Sequence, residues 1–303
     1  MPELPEVEIT ARRLNEALAG ARIAAATVPG VNTLKTFDPP LGELEGARVE
    51  SVSRRGKHLI VRSDNGLALL IHLMSAGRLQ LYGEPADAAA GGNGSSPRAR
   101  PTARRRPGPG RDRTLRALVR LEDGRELRLR EFGSKQAAWV KVLRGEELDA
   151  DPALAGLGPE AWPDPPPLEE LLAEPRPLHA VLRDQHVITG IGRSWVDEIL
   201  WEARLSPYKR GSELDEEEAE RLRAAIVQTL GGALDHYEQV IRLPIPDKLP
   251  MPLRVHRHEG EPCPRCDTPL ASVHFEDYVI AYCPTCQTGG KVLKDRRLSR
   301  LLR

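Results

Sequence analysis

The sequence predicts an α+β, multidomain chain: an N-terminal antiparallel β-sandwich with a flanking helix, a helical second domain, and a small C-terminal β-hairpin closed by a metal. Three patterns predict it. Strand-length runs punctuated by turn residues fill the first half, helical periodicity follows a Pro-rich stretch, and all four cysteines fall in two Cys-x-x-Cys pairs near the end. Charge is balanced at 44 residues of each sign, so affinity for a polyanion has to come from local clustering. Aromatics are 4% of the chain, which argues against a stacking platform for single strands. No apolar run reaches about 18 residues and the acidic N-terminus lacks a secretory core, so a cytoplasmic, non-membrane protein is expected.

Residues 5–19 place Val7, Ala11, Leu14 and Leu18 at helical spacing, with Gly20 as the stop. The period then becomes strand-like over 22–28, 48–54, 57–63, 67–73, 78–82, 115–121, 126–130 and 137–143. Asp64-Asn65-Gly66 and Asp123-Gly124 are tight turns between neighbouring runs. Together these define a sandwich domain over 1–148. Residues 84–113, rich in Gly, Pro, Ser and Arg, have nothing with which to build a core and read as a disordered insertion.

A Pro-rich linker over 149–176 leads to a helical domain at 177–245, with helices over 178–185, 196–203 and 216–236, the last interrupted by Gly231-Gly232. Gly190-Ile191-Gly192 lies between the first two. It lacks the preceding strand and third glycine of a dinucleotide site, so it reads as a tight interhelical turn that presents backbone N–H groups, suited to a phosphate. Then come Cys263-x-x-Cys266, sixteen residues, and Cys283-x-x-Cys286. Four thiolates at this spacing fit one tetrahedral structural Zn2+ over a domain at 253–290, with strands near 270–274 and 279–282, followed by a basic tail at 291–303.

The first eight residues, MPELPEVE, hold the most distinctive chemistry. Removal of Met1 leaves Pro2 as a secondary amine. An α-amino group titrates near ~7.7–8.0, against ~10.4 for a Lys side chain, so a neutral nucleophilic fraction exists at neutral pH without special burial. Attack on a sugar C1′ gives a cationic iminium, and Glu3 and Glu6 are placed within one helical turn to move protons. Taken alone, the same residues also suit an ordinary acidic helix start.

MPELPEVE, Lys57 in RRGKHLIV, the DQ…GIG…DE segment and the two CxxC pairs, in this order, resemble the formamidopyrimidine-DNA glycosylase/endonuclease VIII family of base-excision repair enzymes. The resemblance covers nearly the whole chain outside the insertion and the tail. It implies a helix-two-turns-helix domain ahead of the zinc finger, and double-stranded DNA with damaged bases or abasic sites as partner, bound by a monomer. It implies that Pro2 attacks C1′ of the damaged nucleotide, Glu3 protonates the sugar ring oxygen, Glu6 supports the site and Lys57 contacts a phosphate. Elimination from the iminium then cuts the backbone on both sides of the sugar. Because the target atom lies inside a duplex, the nucleotide must leave the stack, and Arg130 and Phe132 match the residues that fill the gap.

The chain departs from that pattern at several positions. Ser75 stands where the family carries a void-filling Met, and Arg193 replaces the Asn of GIGN, so Gly190, Gly192 and Arg193 form an altered phosphate turn. Tyr278 stands where the zinc hairpin carries a phosphate-gripping Arg. Residues 233–253 contain no match to the loop that covers oxidised guanine. The expectation is a bifunctional glycosylase and abasic-site lyase of altered lesion range. The alternatives are a damage-binding relative with little activity and a zinc-dependent nucleic-acid-binding regulator.

Overall fold

The computed structural model describes residues 1–83, 112–168, 173–275 and 278–294, so most of the expected insertion and of the basic tail lies outside the described residues. The chain forms two compact units, each assembled from separated segments. One comprises Met1–Pro2, Val7–Asp151 and Ile241–Leu249, and the other Glu3–Glu6, Pro152–Val240 and Pro250–Arg303.

Helix α1 (Leu4–Leu18), which belongs to the first unit from Val7 onward, ends at Gly20, whose φ of +79° is the left-handed stop expected of a glycine. Eight strands follow among the described residues: β1 (Ile23–Thr27), β2 (Val49–Arg55), β3 (His58–Ser63), β4 (Leu67–His72), β5 (Gly77–Tyr82), β6 (Leu115–Leu121), β7 (Glu126–Glu131) and β8 (Trp139–Arg144). They form two antiparallel four-stranded sheets, ordered β1-β6-β7-β5 and β2-β3-β4-β8. Alternation aims Val52, Leu59, Val61, Leu69 and Ile71 of one sheet and Leu79, Leu81, Val119, Leu127 and Leu129 of the other into one core. Val7, Ala11, Leu14 and Leu18 of α1 join that core, as their spacing predicts. Asn15 Oδ1 accepts the Val52 N–H at 2.8 Å, which ties the helix to β2.

The second unit contains α2 (Pro152–Ala155), α3 (Leu178–Val181), α4 (Arg193–Glu202), α5 (Glu216–Val240), the hairpin β9 (Ala271–His274) and β10 (Val279–Tyr282), and α6 (Pro284–Thr288). Two sequence expectations gain detail and one needs correction. The stretch at 149–176 is more than a spacer: Ala161 and Leu168 are buried, the Thr189 N–H donates to Pro159 O at 2.8 Å, and the Ala161 N–H donates to Thr189 O at 3.1 Å. Residues 241–249 belong to the first unit, where the Gln80 amide donates to Ile245 O and Arg13 Nε donates to Ile241 O. The correction is that Gly231 and Gly232 do not interrupt α5. Each costs about 1 kcal/mol in a helix interior, which the burial of Leu230, Ala233, Leu234 and Tyr237 on the same helix offsets. Among the described residues no helix is long and apolar enough to cross a membrane.

Candidate active site and nucleic-acid contacts

Glu3 and Glu6 are both buried to 2% exposure. Glu6 reaches back to accept the Glu3 N–H at 2.8 Å, as the acid in the third position of a capping box does. Its other oxygen accepts the Tyr237 hydroxyl at 2.7 Å and Trp195 Nε1 at 3.1 Å. Glu3 caps another helix: its carboxylate accepts the Ser194 N–H at 2.9 Å and the Trp195 N–H at 3.3 Å, at the N-terminus of α4. Burial pushes the Glu6 carboxyl up from 4.5 to about 7. The nearby Glu3 charge adds to the rise, and the three donors oppose it.

The two glycines of the interhelical turn are shaped around this N-terminal segment. At Gly192 a Cβ would lie 2.3 Å from Glu3 Cδ, and at Gly190, with φ +106°, 2.5 Å from Leu4 Cδ1. The Leu4 N–H donates to Gly190 O at 3.0 Å, and the Gly190 N–H donates to Gln185 Oε1 at 3.0 Å. This changes the sequence expectation that the turn offers open N–H groups to a phosphate. Those of Gly190, Ser194 and Trp195 are already taken, two of them by a carboxylate.

Arg193, the first residue of α4, is exposed and reaches toward the zinc hairpin, its Cζ 5.5 Å from the centroid of the Tyr278 ring. The same ring stacks on Phe275 at 4.6 Å and on His179 at 5.6 Å, and Arg183 Cζ lies 4.2 Å from its centroid. Arg193 and Tyr278 are thus brought together, with Arg183 as a third partner that sequence reasoning missed.

In the first unit, Pro2 is buried while Met1 is 51% exposed. Lys57 is buried at the β2–β3 turn. Its charge adds a small downward push to His58 and His72, which burial holds near about 4 and about 3. Arg130 packs over the half-exposed Phe132 ring at 4.7 Å and is held by Thr114 Oγ1 at 3.0 Å, the Tyr82 hydroxyl at 3.1 Å and Asp112 at 3.3 Å. Asp247, from the returning segment, lies 3.8 Å away. One residue before Ser75, Met74 occupies the β4–β5 loop at φ +50°, its N–H donating to His72 Nδ1 at 3.1 Å. A sulfur side chain is therefore present in this loop, one position before Ser75.

Residues 1–134 match the family model described as Formamidopyrimidine-DNA glycosylase N-terminal domain, 159–244 the Formamidopyrimidine-DNA glycosylase H2TH domain, and 260–289 the Zinc finger found in FPG and IleRS. The formamidopyrimidine-DNA glycosylase of Thermus thermophilus is 33% identical over 316 residues, spanning 96% of this chain and 100% of its own. That of Geobacter sulfurreducens is 30% identical over 300 residues, spanning 95% and 100%. The chain belongs to the formamidopyrimidine-DNA glycosylase family. The Lactococcus lactis Fpg (MutM), solved in complex with N7-benzyl-Fapy-dG-containing DNA, shares the fold, with a TM-score of 0.76 at 24% identity over 95% of this chain and 100% of that one.

The four cysteines of this family member meet the geometric demand of its zinc finger. Their Sγ atoms all lie within 4.8 Å of one another, with separations of 3.4 Å for Cys266–Cys283 and Cys266–Cys286 and 3.9 Å for Cys263–Cys286. Tetrahedral ligation at Zn–S ~2.3 Å requires S–S near ~3.8 Å. Trp201 Nε1 donates to Cys263 Sγ at 3.3 Å and the Cys286 N–H to Cys283 Sγ at 3.4 Å, the outer donors that thiolate ligands take.

Proposed function

We propose that the chain is a bifunctional DNA glycosylase and abasic-site lyase acting on duplex DNA with oxidised bases, through an iminium on Pro2. The observation that carries this reading is the seat of Glu3: a buried carboxylate, adjacent in sequence to Pro2, fixed by two backbone donors of α4 and fitted against a glycine. An acid meant only to start α1 has no need of such a seat.

With Met1 removed, the Pro2 nitrogen attacks C1′ as the bond from C1′ to the base breaks, and the base leaves with the bonding pair and takes up a proton. Glu3 delivers a proton to the ring oxygen, the C1′–O4′ bond opens and the iminium forms. The iminium acidifies the C2′ hydrogens. Loss of one expels the 3′ phosphate, a second elimination expels the 5′ phosphate, and water hydrolyses the remaining adduct to regenerate the amine. Glu6, poised near neutrality, holds the Glu3 backbone, and so the Pro2–Glu3 peptide, in place. Lys57 pairs with a phosphate beside the lesion, and Arg130 and Phe132 occupy the space the extruded nucleotide leaves. One Zn2+, held by Cys263, Cys266, Cys283 and Cys286, rigidifies the hairpin and takes no part in the chemistry.

Borohydride trapping on abasic-site duplex tests the reading. A covalent adduct is expected from the processed chain and none from Pro2→Gly or from a form that retains Met1. DNA binding without an adduct under any condition overturns it. A panel of oxidised purines and pyrimidines then sets the lesion range, which is expected not to centre on oxidised guanine opposite cytosine.

A further inference from the structure

Arg130 is one end of a hydrogen-bonded chain that crosses the outer face of its sheet to residues 241–249. Gln80 and Tyr82 of β5 share that face with Arg130 of β7, opposite Leu79, Leu81 and Leu129, which enter the core. Arg130 Nη1 donates to the Tyr82 hydroxyl at 3.1 Å, and that hydroxyl donates to Gln80 Oε1 at 3.0 Å. Gln80 Nε2 in turn donates to Ile245 O and, at 3.0 Å, to Asp247 Oδ1. The donors all point one way, so each bond polarises the next. Gln80 is only 2% exposed, and a buried amide needs partners at both ends. Tyr82 supplies one and residues 241–249 the other. The Tyr82 ring is itself held, with Arg128 Cζ 4.8 Å from its centroid. With Nε donating to Thr114 Oγ1 at 3.0 Å and Nη1 to Tyr82, the Arg130 guanidinium is fixed at two of its three nitrogens, and Nη2 makes no hydrogen bond among the described residues. A fork held this way has little rotamer freedom left to lose when it enters a gap.

We propose that Tyr82 is a positioning residue for Arg130: with Gln80 it ties residues 241–249 to the guanidinium that fills the space left by an extruded nucleotide. It rests on the reading above that Arg130 occupies that space. It also gives a task to residues 241–249, where the sequence offers no match to a lesion-covering loop: they anchor the chain of donors that sets the fork. A Phe at 82 would keep the ring under Arg128 and break the chain at its middle, since only the hydroxyl both accepts from Arg130 and donates to Gln80.

The test uses the full-length, zinc-loaded, Met1-processed chain. Fluorescence anisotropy measures its Kd for a duplex with a tetrahydrofuran abasic analogue and for the intact duplex. Tyr82→Phe is expected to weaken binding to the first by about fivefold and to leave the second unchanged. On an Arg130→Ala background the same substitution is expected to add nothing, because the two residues act as one unit. A second readout is independent of affinity: 2-aminopurine placed opposite the abasic analogue, read at saturating protein. Its emission is expected to change as the wild-type fork enters the gap, to lose that change with Arg130→Ala and to keep only part of it with Tyr82→Phe. Melting temperature verifies the fold, and should Tyr82→Phe not fold, Gln80→Met, which leaves the hydroxyl without its acceptor, takes its place with the same expected losses. Wild-type affinity or wild-type emission in Tyr82→Phe overturns the proposal, as does an equal loss on both duplexes or a loss that persists on the Arg130→Ala background. An Arg130→Ala chain that keeps wild-type affinity and emission removes Arg130 from the gap and overturns the reading on which the proposal rests, and the proposal with it.

Discussion

The carboxylate of Glu3 accepts the backbone N–H of Ser194 at 2.9 Å across 191 positions of sequence. The residue after the N-terminal proline is thereby part of the cap of a helix in the middle of the chain. The position of this acid follows from α4, and several consequences can be measured.

Gly192→Ala is expected to dislodge Glu3. The backbone at Gly192, with φ −131° and ψ −156°, accepts any residue, so the effect is steric and arises from a Cβ 2.3 Å from Glu3 Cδ. Overpacking of this kind costs about 1–3 kcal/mol. Calorimetry should show a lower Tm, and borohydride trapping should slow by at least about tenfold. Wild-type values for both refute the close fit.

The pH dependence of stability has two opposed components. The Glu6 carboxyl is raised from 4.5 to about 7 mainly by burial, so the folded chain holds its proton more tightly. That contribution is full below about 4.5 and is lost as pH rises through about 7, a difference on the order of 3 kcal/mol. His58 and His72 are lowered from 6.5 to about 4 and about 3 by burial. Their contribution is present above 6.5 and is lost as pH falls toward about 4. Urea titrations of Glu6→Gln from pH 5 to 8 should lack the first component and keep the second. A variant as pH-sensitive as wild type between 6 and 8 contradicts the assignment.

Tyr237→Phe removes the 2.7 Å hydroxyl donor from buried Glu6. A loss of about 1–3 kcal/mol is expected, read as a lower denaturant midpoint at constant slope. The same change should raise the Glu6 titration further, because the hydroxyl opposes the rise.

Zinc chelation is expected to release one equivalent of metal per chain, measured by atomic emission, and to loosen the hairpin. Trp201 provides an internal reporter, since its Nε1 donates to Cys263 Sγ at 3.3 Å and its ring lies under Arg254 and Arg265. Its fluorescence should shift with metal loss and recover on zinc addition. A chain whose emission and Tm ignore chelation holds no structural zinc.

Phe132→Ala is expected to leave stability within about 0.5 kcal/mol, because the ring is 38% exposed and lies under Arg130. Affinity for an abasic-analogue duplex should fall by about tenfold while affinity for intact duplex is unchanged, in keeping with loss of one stacking side chain worth ~1–3 kcal/mol. Equal losses on both duplexes remove Phe132 from any gap-filling role.

Local pattern was enough to predict the strands, the two turns at Gly66 and Gly124, the first helix and the four-cysteine hairpin, because each depends on residues a few positions apart. It placed MPELPEVE, GIG and the CxxC pairs as chemical units. It could not reveal that GIG is a socket for Glu3 and Leu4, that Trp195 and Tyr237 turn polar edges from buried helix faces onto Glu6, or that residues 241–249 return to the sandwich unit. Nor could it show Arg183 beside Tyr278, 95 positions away. These are long-range pairings between side chains whose local sequence looks like ordinary helix. They become visible only when folding has removed the Glu3 and Glu6 carboxylates from water, so that each must find its partners within the protein.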